Sequence, residues 1–428
     1  MADKLPPPPQ GIRWSVLVLV SLAMFGNYYV YDSIAPLADH LEKLLGFSDT
    51  QLGTLNAIYS VPNIIIVLIG GVLVDRMGAR VATLLFAGIC VLGSILTAIS
   101  GAFPVMAAGR LLFGIGAESM IVAITTCLGQ WFMGRWLGLA FGFNLSIARA
   151  GSYAADVSPT WAKNFYDAGW QQPLLLAVGL CAASAVATFA YYLLDRYAER
   201  RYTLQRPAKT ERVILRDLVR FDRSYWYVVG LCIAFYSVIF PFRSTFAIKY
   251  FQHAHGLSLQ DAGTMNGYVF LAAIFATPAF GALVDRTGRR ALFMCAGSLL
   301  LLGVFLVLIY TQWSLWISTA FIGISFSLVP AVLWPSIPYL VQENRLGTAY
   351  GLMTMLQNIG LAGFNFGAGW INDRSHAGAD NPQGYTPMLW MFCVLSVVGL
   401  AFALLLRRRE MGPHGHDLET ASPRRKHA

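Results

Sequence analysis

Charged side chains are scarce in this 428-residue chain: Asp, Glu, Lys and Arg together make up 12% of it. A soluble domain carries about twice that share, so a fold with a fully solvated surface is excluded. Cysteines are few and scattered. Cys90, Cys127, Cys181, Cys232, Cys295 and Cys393 form no C-x-x-C and all fall in apolar stretches, which excludes a disulfide framework and a thiolate metal site. His253 and His255 make one H-x-H in a short connection, which reads as a solvated loop and not as a metal site. No H-E-x-x-H, G-x-S-x-G or Walker-type loop occurs, so the chain reads as no enzyme and as no nucleotide-driven pump. The G-I-G of the stretch FGIGAES follows no strand and is no dinucleotide fingerprint. No cofactor is expected.

What the chain has in abundance is apolar sequence: 56% of residues are hydrophobic and mean hydropathy is +0.56. It comes in blocks of about twenty, the length a helix needs to cross a hydrocarbon core of roughly 30 Å. Twelve blocks lie near 14–36, 50–74, 81–100, 104–130, 136–158, 171–194, 224–248, 259–284, 291–310, 313–340, 347–370 and 387–406. The fold class is therefore an all-α membrane protein of twelve transmembrane helices. The first block lacks a following small-x-small cleavage site and reads as a retained span. Pro330, Pro335 and Pro338 crowd into the tenth, where a kink is predicted.

The net charge of +9 points to the bilayer and not to nucleic acid, because the basic residues sit in short connections between blocks. With the N-terminus, the even-to-odd connections and the tail on one side, that side holds 24 of the 31 Lys and Arg residues. The other side holds Lys43, Lys163, Lys249 and Arg374, and Arg110, Arg149 and Arg243 lie within spans. The positive-inside rule then places both termini in the cytoplasm, with the chain multi-pass in the cell (inner) membrane. The domains expected are a cytoplasmic segment 1–13, a six-helix bundle 14–194, a basic linker 195–223, a second bundle 224–406 and a polar, disordered tail 407–428. Part of the linker suits an amphipathic helix on anionic headgroups.

One loop occurs twice. GGVLVDRMGAR at 70–80 matches GALVDRTGRR at 281–290, with Asp75 and Asp285 separated by 210 positions. GLAFG at 138–142 and GTAYG at 347–351 repeat at an offset of 209. Two matches at nearly one offset mean a duplicated unit of six helices, and six being even, both copies insert in the same orientation. A glycine four residues before each Asp allows close helix approach, and the Asp at a helix end can pair with an Arg or cap a neighbour. Such a contact can hold one conformation and break in another, so Asp75, Arg76, Asp285 and Arg286 are gating candidates.

A charge near the bilayer centre costs roughly 2.5–3.5 kcal/mol on insertion scales, so it should face a cavity or a partner. In the fourth block Arg110, Gly114 and Glu118 follow i, i+4, i+8, with Arg110 and Glu118 about 12 Å apart along the axis. In the fifth, Ser146, Arg149, Tyr153 and Asp156 form a polar stripe. Glu118 and Arg149 both fall near midspan, on antiparallel neighbours, and can reach one cavity. The first block adds Tyr28, Tyr31 and Asp32, and its counterpart, the seventh, adds Tyr236, Phe240 and Arg243 with Lys249 at its outer end. An acid and an arginine in one cavity suit a zwitterion: the acid receives an ammonium and the arginine forks a carboxylate. Arginines alone suit a small organic anion. A structural brace made of Glu118 and Arg149 is the bland alternative, although a buried ion pair is weak evidence for stability.

These residues carry a family resemblance. Gly-x-x-x-Asp-Arg-x-Gly-x-Arg after the second and eighth blocks resembles the signature of the major facilitator superfamily, and the likeness covers essentially the whole chain. It implies two parallel six-helix halves working by alternating access. The fifth block reads GLAFGFNLSIARAGSYAADVSP and lacks the glycine-rich stretch ending Gly-Pro of drug–proton antiporters, which disfavours multidrug efflux. FGIGAES, WF, LGLAFGFNLSIARAGS and FPF at 240–242 look like the lysosomal dipeptide-transporter branch, here as a bacterial-type homologue. That resemblance implies Glu118 as the amine-binding acid and Arg149 as the carboxylate-binding arginine. It also implies a basic residue on the seventh span; no lysine matches that position, and Arg243 and Lys249 lie nearby. The substrate-site residues expected are therefore Glu118, Arg149, Arg243, Tyr153, Tyr28, Tyr236 and Lys249. Glu118, Arg110 and Asp32 are candidates for proton coupling, which would make a symporter; without it facilitated diffusion suffices. The expected function is secondary transport of dipeptides, other short peptides or amino acids by a monomer in a lipid bilayer. Organic-anion transport is the alternative, and drug efflux or a non-transporting sensor ranks below both.

Overall fold

The computed structural model describes residues 6–132, 136–203, 221–311, 313–342 and 345–420, without the side chains of 67–72 and 75. Most of the expected linker, 204–220, and the end of the tail, 421–428, lie outside the described residues. Among the described residues the secondary structure is helical throughout, and each of the twelve apolar blocks falls on helix. Nine helical stretches are long and apolar enough to cross a membrane. The second, fifth and eleventh blocks are not among them; the second is divided between two shorter helices, and the fifth and eleventh carry polar side chains among the apolar ones.

Contacts divide the chain into two compact units, Met1–Phe47 with Ile58–Thr210, and Ser48–Ala57 with Glu211–Ala428. The first unit contains α1 (Gln10–Asp32), α2 (Ala38–Leu45), α4 (Asn63–Met77), α5 (Ala79–Ile99), α6 (Phe103–Phe132), α7 (Leu137–Asp156), α8 (Ser158–Trp161), α9 (Lys163–Asp167) and α10 (Gln171–Glu199). The second unit contains α11 (Arg223–Pro241), α12 (Ala247–His255), α13 (Leu259–Thr287), α14 (Arg290–Tyr310), α15 (Leu315–Leu340), α16 (Leu346–Arg374) and α17 (Thr386–Glu410). The helix α3 (Asp49–Ser60) crosses between the two groupings, because residues 48–57 pack with the second unit. The second apolar block is thus two helices, broken at Val61 and Pro62, where the sequence predicts one span. Proline lacks the amide that would continue the ladder, which explains the break.

Within the first unit α1 packs on α7 and α10, α5 on α6 and α10, and α4 on α6. Within the second, α11 packs on α16 and α17, α14 on α15 and α17, and α13 on α15. The same five pairings recur in the same order, as a duplicated six-helix unit requires. The repeated loop folds alike in both copies. α4 ends at Gly78 and α13 at Gly288, whose φ angles of +80° and +69° are accessible to glycine without strain. Each amide closes the helix by donating to the carbonyl four residues back, Val74 or Val284.

Small residues let these helices touch, as apolar segments in lipid need. A methyl group on Gly93 would overlap the backbone of Phe113, and one on Gly151 the carbonyl of Phe25. The exposed tryptophans Trp14, Trp136, Trp161, Trp226, Trp313, Trp316, Trp370 and Trp390 lie at or near helix ends, the placement of interfacial belts. α15 stays helical with Pro330, Pro335 and Pro338 inside it. His253 and His255 lie on the last turn of α12, not in a loop, and meet the hydroxyls of Tyr385 at 2.9 Å and Tyr250 at 3.3 Å.

The tail departs from its sequence reading. Residues 411–420 are folded onto the second unit, where a polar segment of this composition is expected to be disordered. Arg409 grips Asp222, the N-cap of α11, with Nη2 at 2.6 Å and Nε at 3.3 Å. The buried Glu410 accepts from Ser224 Oγ and from the His416 amide, both at 2.6 Å. Leu418 is fully buried and its carbonyl accepts from the Arg290 amide at 2.7 Å, while Glu419 caps α14 by accepting from the Leu292 amide at 2.9 Å. One burying leucine and one helix cap are what the polar composition conceals. Leu418→Ala is expected to destabilise the second unit by about 2–5 kcal/mol, measured as a lowered unfolding midpoint in detergent with transport substrate absent.

Candidate functional site

In the first unit the midspan acid has a defined partner. Tyr59, at the end of α3, donates its hydroxyl to Glu118 Oε1 at 3.0 Å. Gly114, one turn before Glu118, packs so closely on the Tyr59 backbone that a methyl group there would overlap it. That close approach brings the ring across α6. The Tyr59 ring also stacks edge-on with Tyr31, centroids 4.7 Å apart, and lies 5.7 Å from Phe113. The expected alignment of Arg110 with Glu118 on one face of α6 is met through this tyrosine, since the Arg110 guanidinium stands 5.7 Å from the Tyr59 centroid.

Arg110 itself is taken up by structure. Its two terminal nitrogens donate to the carbonyls of Val30 and Tyr31 at 3.0 and 3.1 Å. Those are among the last carbonyls of α1, which have no partner within their own helix. A cation at the negative end of the helix dipole is also electrostatically favourable. The guanidinium lies among the rings of Tyr31, Tyr59 and Phe113 at 5.6–5.7 Å. Asp32 is fully buried and within electrostatic reach of Arg110 and of Tyr28.

Tyr28 joins the two charges. Its phenol is within electrostatic reach of both Glu118 and Arg149. Arg149 lies on α7, 6% exposed, and Tyr153, one turn on, is half-buried. Gly151 lets α7 approach α1 at the level of Phe25, which places Arg149 beside the helix that carries Tyr28. Glu118, Arg149 and Tyr28 are thus within electrostatic reach of one another through the phenol of Tyr28.

The second unit places its basic residues differently. Arg243 is 1% exposed and lies in a π-helical turn, Phe242–Phe246, between α11 and α12. Its guanidinium sits 3.7 Å from the Phe270 ring centroid and donates to Ser244 Oγ at 2.9 Å. Tyr236, two turns earlier, accepts from Trp334 Nε1 at 2.8 Å and stacks with Phe240 at 5.8 Å. Lys249 is committed to a partner that sequence reading missed. Its ammonium contacts Asp49 Oδ1, with the two side chains 1% and 3% exposed. Asn372 donates to the other oxygen of Asp49 at 2.8 Å. A signal existed, since Asp49 opens the second apolar block and Asn372 and Asp373 close the eleventh, but their pairing requires the fold.

Asp373 completes this cluster as a helix cap. Its two oxygens accept from the amides of Asp49 and Thr50 at 2.8 and 2.9 Å, the orphan donors of the first turn of α3. Burial disfavours its charged form, but hydrogen bonds from Thr50, Ser48 and the Asp49 amide outweigh that and hold the carboxyl below the usual carboxylate range. A depressed carboxylate contributes stability above its unfolded value, near 4, and loses it as pH falls through the folded value. Unfolding midpoints measured from pH 6 downward should therefore drop below about pH 4, and Asp373→Asn should flatten that acid limb.

Of the gating candidates, Asp285 pairs with Arg290 of its own loop at 2.7 Å, and Arg76 and Arg286 are exposed. The side chain of Asp75 lies outside the described ones.

The sequence model of the Major Facilitator Superfamily matches residues 20–364 and 244–426. The chain belongs to that superfamily. Among its relatives, the lysosomal dipeptide transporter MFSD1 of Bos taurus is 35% identical over 84% of this chain and 80% of its own length. MFSD1 of Homo sapiens is 32% identical over 94% of this chain and 87% of its own. A probable sulfoacetate transporter, SauU, of Cupriavidus necator is 22% identical over 82% and 85%. Among solved structures, an inward-facing bacterial homologue of the human lysosomal transporter Spinster superposes with a TM-score of 0.73 at 14% identity, covering 94% of this chain and 98% of that one. The likeness to that structure shows the fold. As a member of the superfamily the chain is a multi-pass membrane transporter of a small molecule.

Proposed function

We propose that the chain transports dipeptides, other short peptides or amino acids by alternating access, with Glu118 holding the ammonium and Arg149 the carboxylate. The observation that carries this reading is the position of Tyr28, within electrostatic reach of both charges inside one unit. Tyr59 steadies Glu118 from a helix that itself changes unit along its length. Arg243 is the second unit's own candidate for a substrate carboxylate. The MFSD1 relatives add support, and the stretches that resemble that branch, FGIGAES and LGLAFGFNLSIARAGS, carry Glu118 and Arg149.

Glu118 is also the candidate carrier of a coupling proton, which would make the chain a symporter; without it the chain is a uniporter, and the membrane proposed is the cell (inner) membrane with both termini cytoplasmic. A second reading, an organic-anion carrier, is favoured by the sulfoacetate relative and by two buried arginines, Arg149 and Arg243. A thermal-shift screen of detergent-purified protein against dipeptides, tripeptides, amino acids and organic anions separates the two. Ligand stabilisation grows with concentration over dissociation constant, so millimolar compounds report even weak binding. Dipeptides should raise the unfolding midpoint by several degrees. A shift confined to carboxylates without an amine would replace the zwitterion reading by the anion one.

A further inference from the structure

The turn that carries Arg243 is irregular, and its irregularity has identifiable supports. Phe242–Phe246 is one π-helical turn placed directly after Pro241. Such turns leave backbone groups out of helical register and recur at functional positions. Here the misplaced groups are met by a side chain from α3. Asn56, fully buried, donates from Nδ2 to the Ser244 carbonyl at 2.9 Å and to Thr245 Oγ1 at 2.7 Å. Thr245 Oγ1 donates in turn to Asn365 Oδ1 on α16 at 2.8 Å. A methyl group on Gly53, one turn before Asn56, would overlap the Asn365 carbonyl, so α3 is seated tightly at this level.

An amide buried in an apolar setting costs free energy unless its hydrogen bonds are made. A leucine would pack α3 without that requirement. Asn56 instead directs its amide group at two consecutive residues of the turn, 244 and 245, immediately after Arg243. Residues 48–57 pack with the second unit and the remainder of the same apolar block with the first, with the helix break at Val61 and Pro62 between α3 and α4. The first part of the second block thus packs with a different unit from α4.

We infer that Asn56 is a positioning residue for Arg243, fixing the π turn that aims the guanidinium and tying substrate engagement there to the seating of α3. The inference rests on the reading of Arg243 as a carboxylate ligand. A shift of the turn toward a bound carboxylate moves the Ser244 carbonyl and the Thr245 hydroxyl together, and both are the acceptors that hold Asn56. Substrate binding and release of the outer segment thereby become linked equilibria.

The test uses full-length protein carrying Thr54→Cys. Thr54 is half-buried on α3 and bonds only the Thr50 carbonyl of its own helix, and the six native cysteines are buried. Labelling by a membrane-impermeant maleimide is timed with and without Ala-Ala, and Ala-Ala affinity is measured by thermal shift on the same preparations. In the parent, Ala-Ala should change the labelling rate by about fivefold or more. Asn56→Ala, and independently Thr245→Val, should abolish that response and lower Ala-Ala affinity by about threefold or more. Asn56→Gln should restore part of it. A response in both variants equal to the parent's, with Arg243→Ala still losing affinity, overturns the inference alone. Unchanged affinity in Arg243→Ala, or no Ala-Ala response in the parent, overturns the reading of Arg243 and the inference with it.

Discussion

Arg149→Ala should abolish the dipeptide-induced rise in unfolding midpoint and weaken dipeptide binding by roughly 30- to 5,000-fold. That range follows from the 2–5 kcal/mol lost when one partner of a buried, hydrogen-bonded charge pair is truncated. The site is dry enough for the larger value, since Arg149 is only 6% exposed. Arg149→Lys keeps the charge but loses the planar fork, so it should recover a minor part of the affinity. A brace would behave otherwise: the alanine variant would lose stability without ligand, and the remaining fold would bind dipeptides as before.

Glu118→Gln tests the other end and separates two roles of the acid. The amide oxygen can still accept from Tyr59, now at 3.0 Å from the carboxylate, so the packing around α3 and α6 should hold. If Glu118 receives the substrate ammonium, both net uptake and substrate exchange in proteoliposomes should fall together. If it carries the coupling proton, exchange should survive while accumulation driven by a pH gradient disappears. Retention of both activities would remove Glu118 from the site. Carboxylates lacking an amine should bind the variant as they bind the parent in either case.

The duplication and the helical blocks were legible because a bilayer imposes long apolar runs and because GGVLVDRMGAR and GALVDRTGRR both end their helix on a glycine of positive φ, Gly78 and Gly288. Glu118, Arg149 and Tyr28 could be nominated from cost and position along their helices. Tyr59 could not, because it reaches Glu118 through a contact made possible by Gly114 on another helix. Sequence left Arg110 between a structural and a proton-coupling role, and it does not show that the Val30 and Tyr31 carbonyls near the end of α1 accept from the guanidinium. The folded tail was hidden for a related reason: a single buried Leu418 and one capping glutamate leave no periodic pattern. The break at Pro62 was written in the sequence, yet proline within a membrane span reads equally well as a tolerated kink.

Lys249→Ala should produce the largest loss of stability among single substitutions in the second unit, about 3–5 kcal/mol. The variant leaves the Asp49 carboxylate, 3% exposed, without the cation it contacts. Asn372 and the cap made by Asp373 remain, but neutral hydrogen bonds do not replace a lost counter-charge in a low-dielectric setting. Asp49→Asn combined with Lys249→Met removes both charges, keeps an acceptor for Asn372 and should recover most of the lost stability. Unfolding midpoints in detergent should therefore order as parent, then the double variant, then Lys249→Ala. An unchanged midpoint in Lys249→Ala would mean that the ammonium contributes little as a partner of Asp49 and would return it to the substrate-binding role expected from sequence. Dipeptide affinity measured on the double variant decides that point directly. If Lys249 acts only through Asp49, affinity there should match the parent within about threefold.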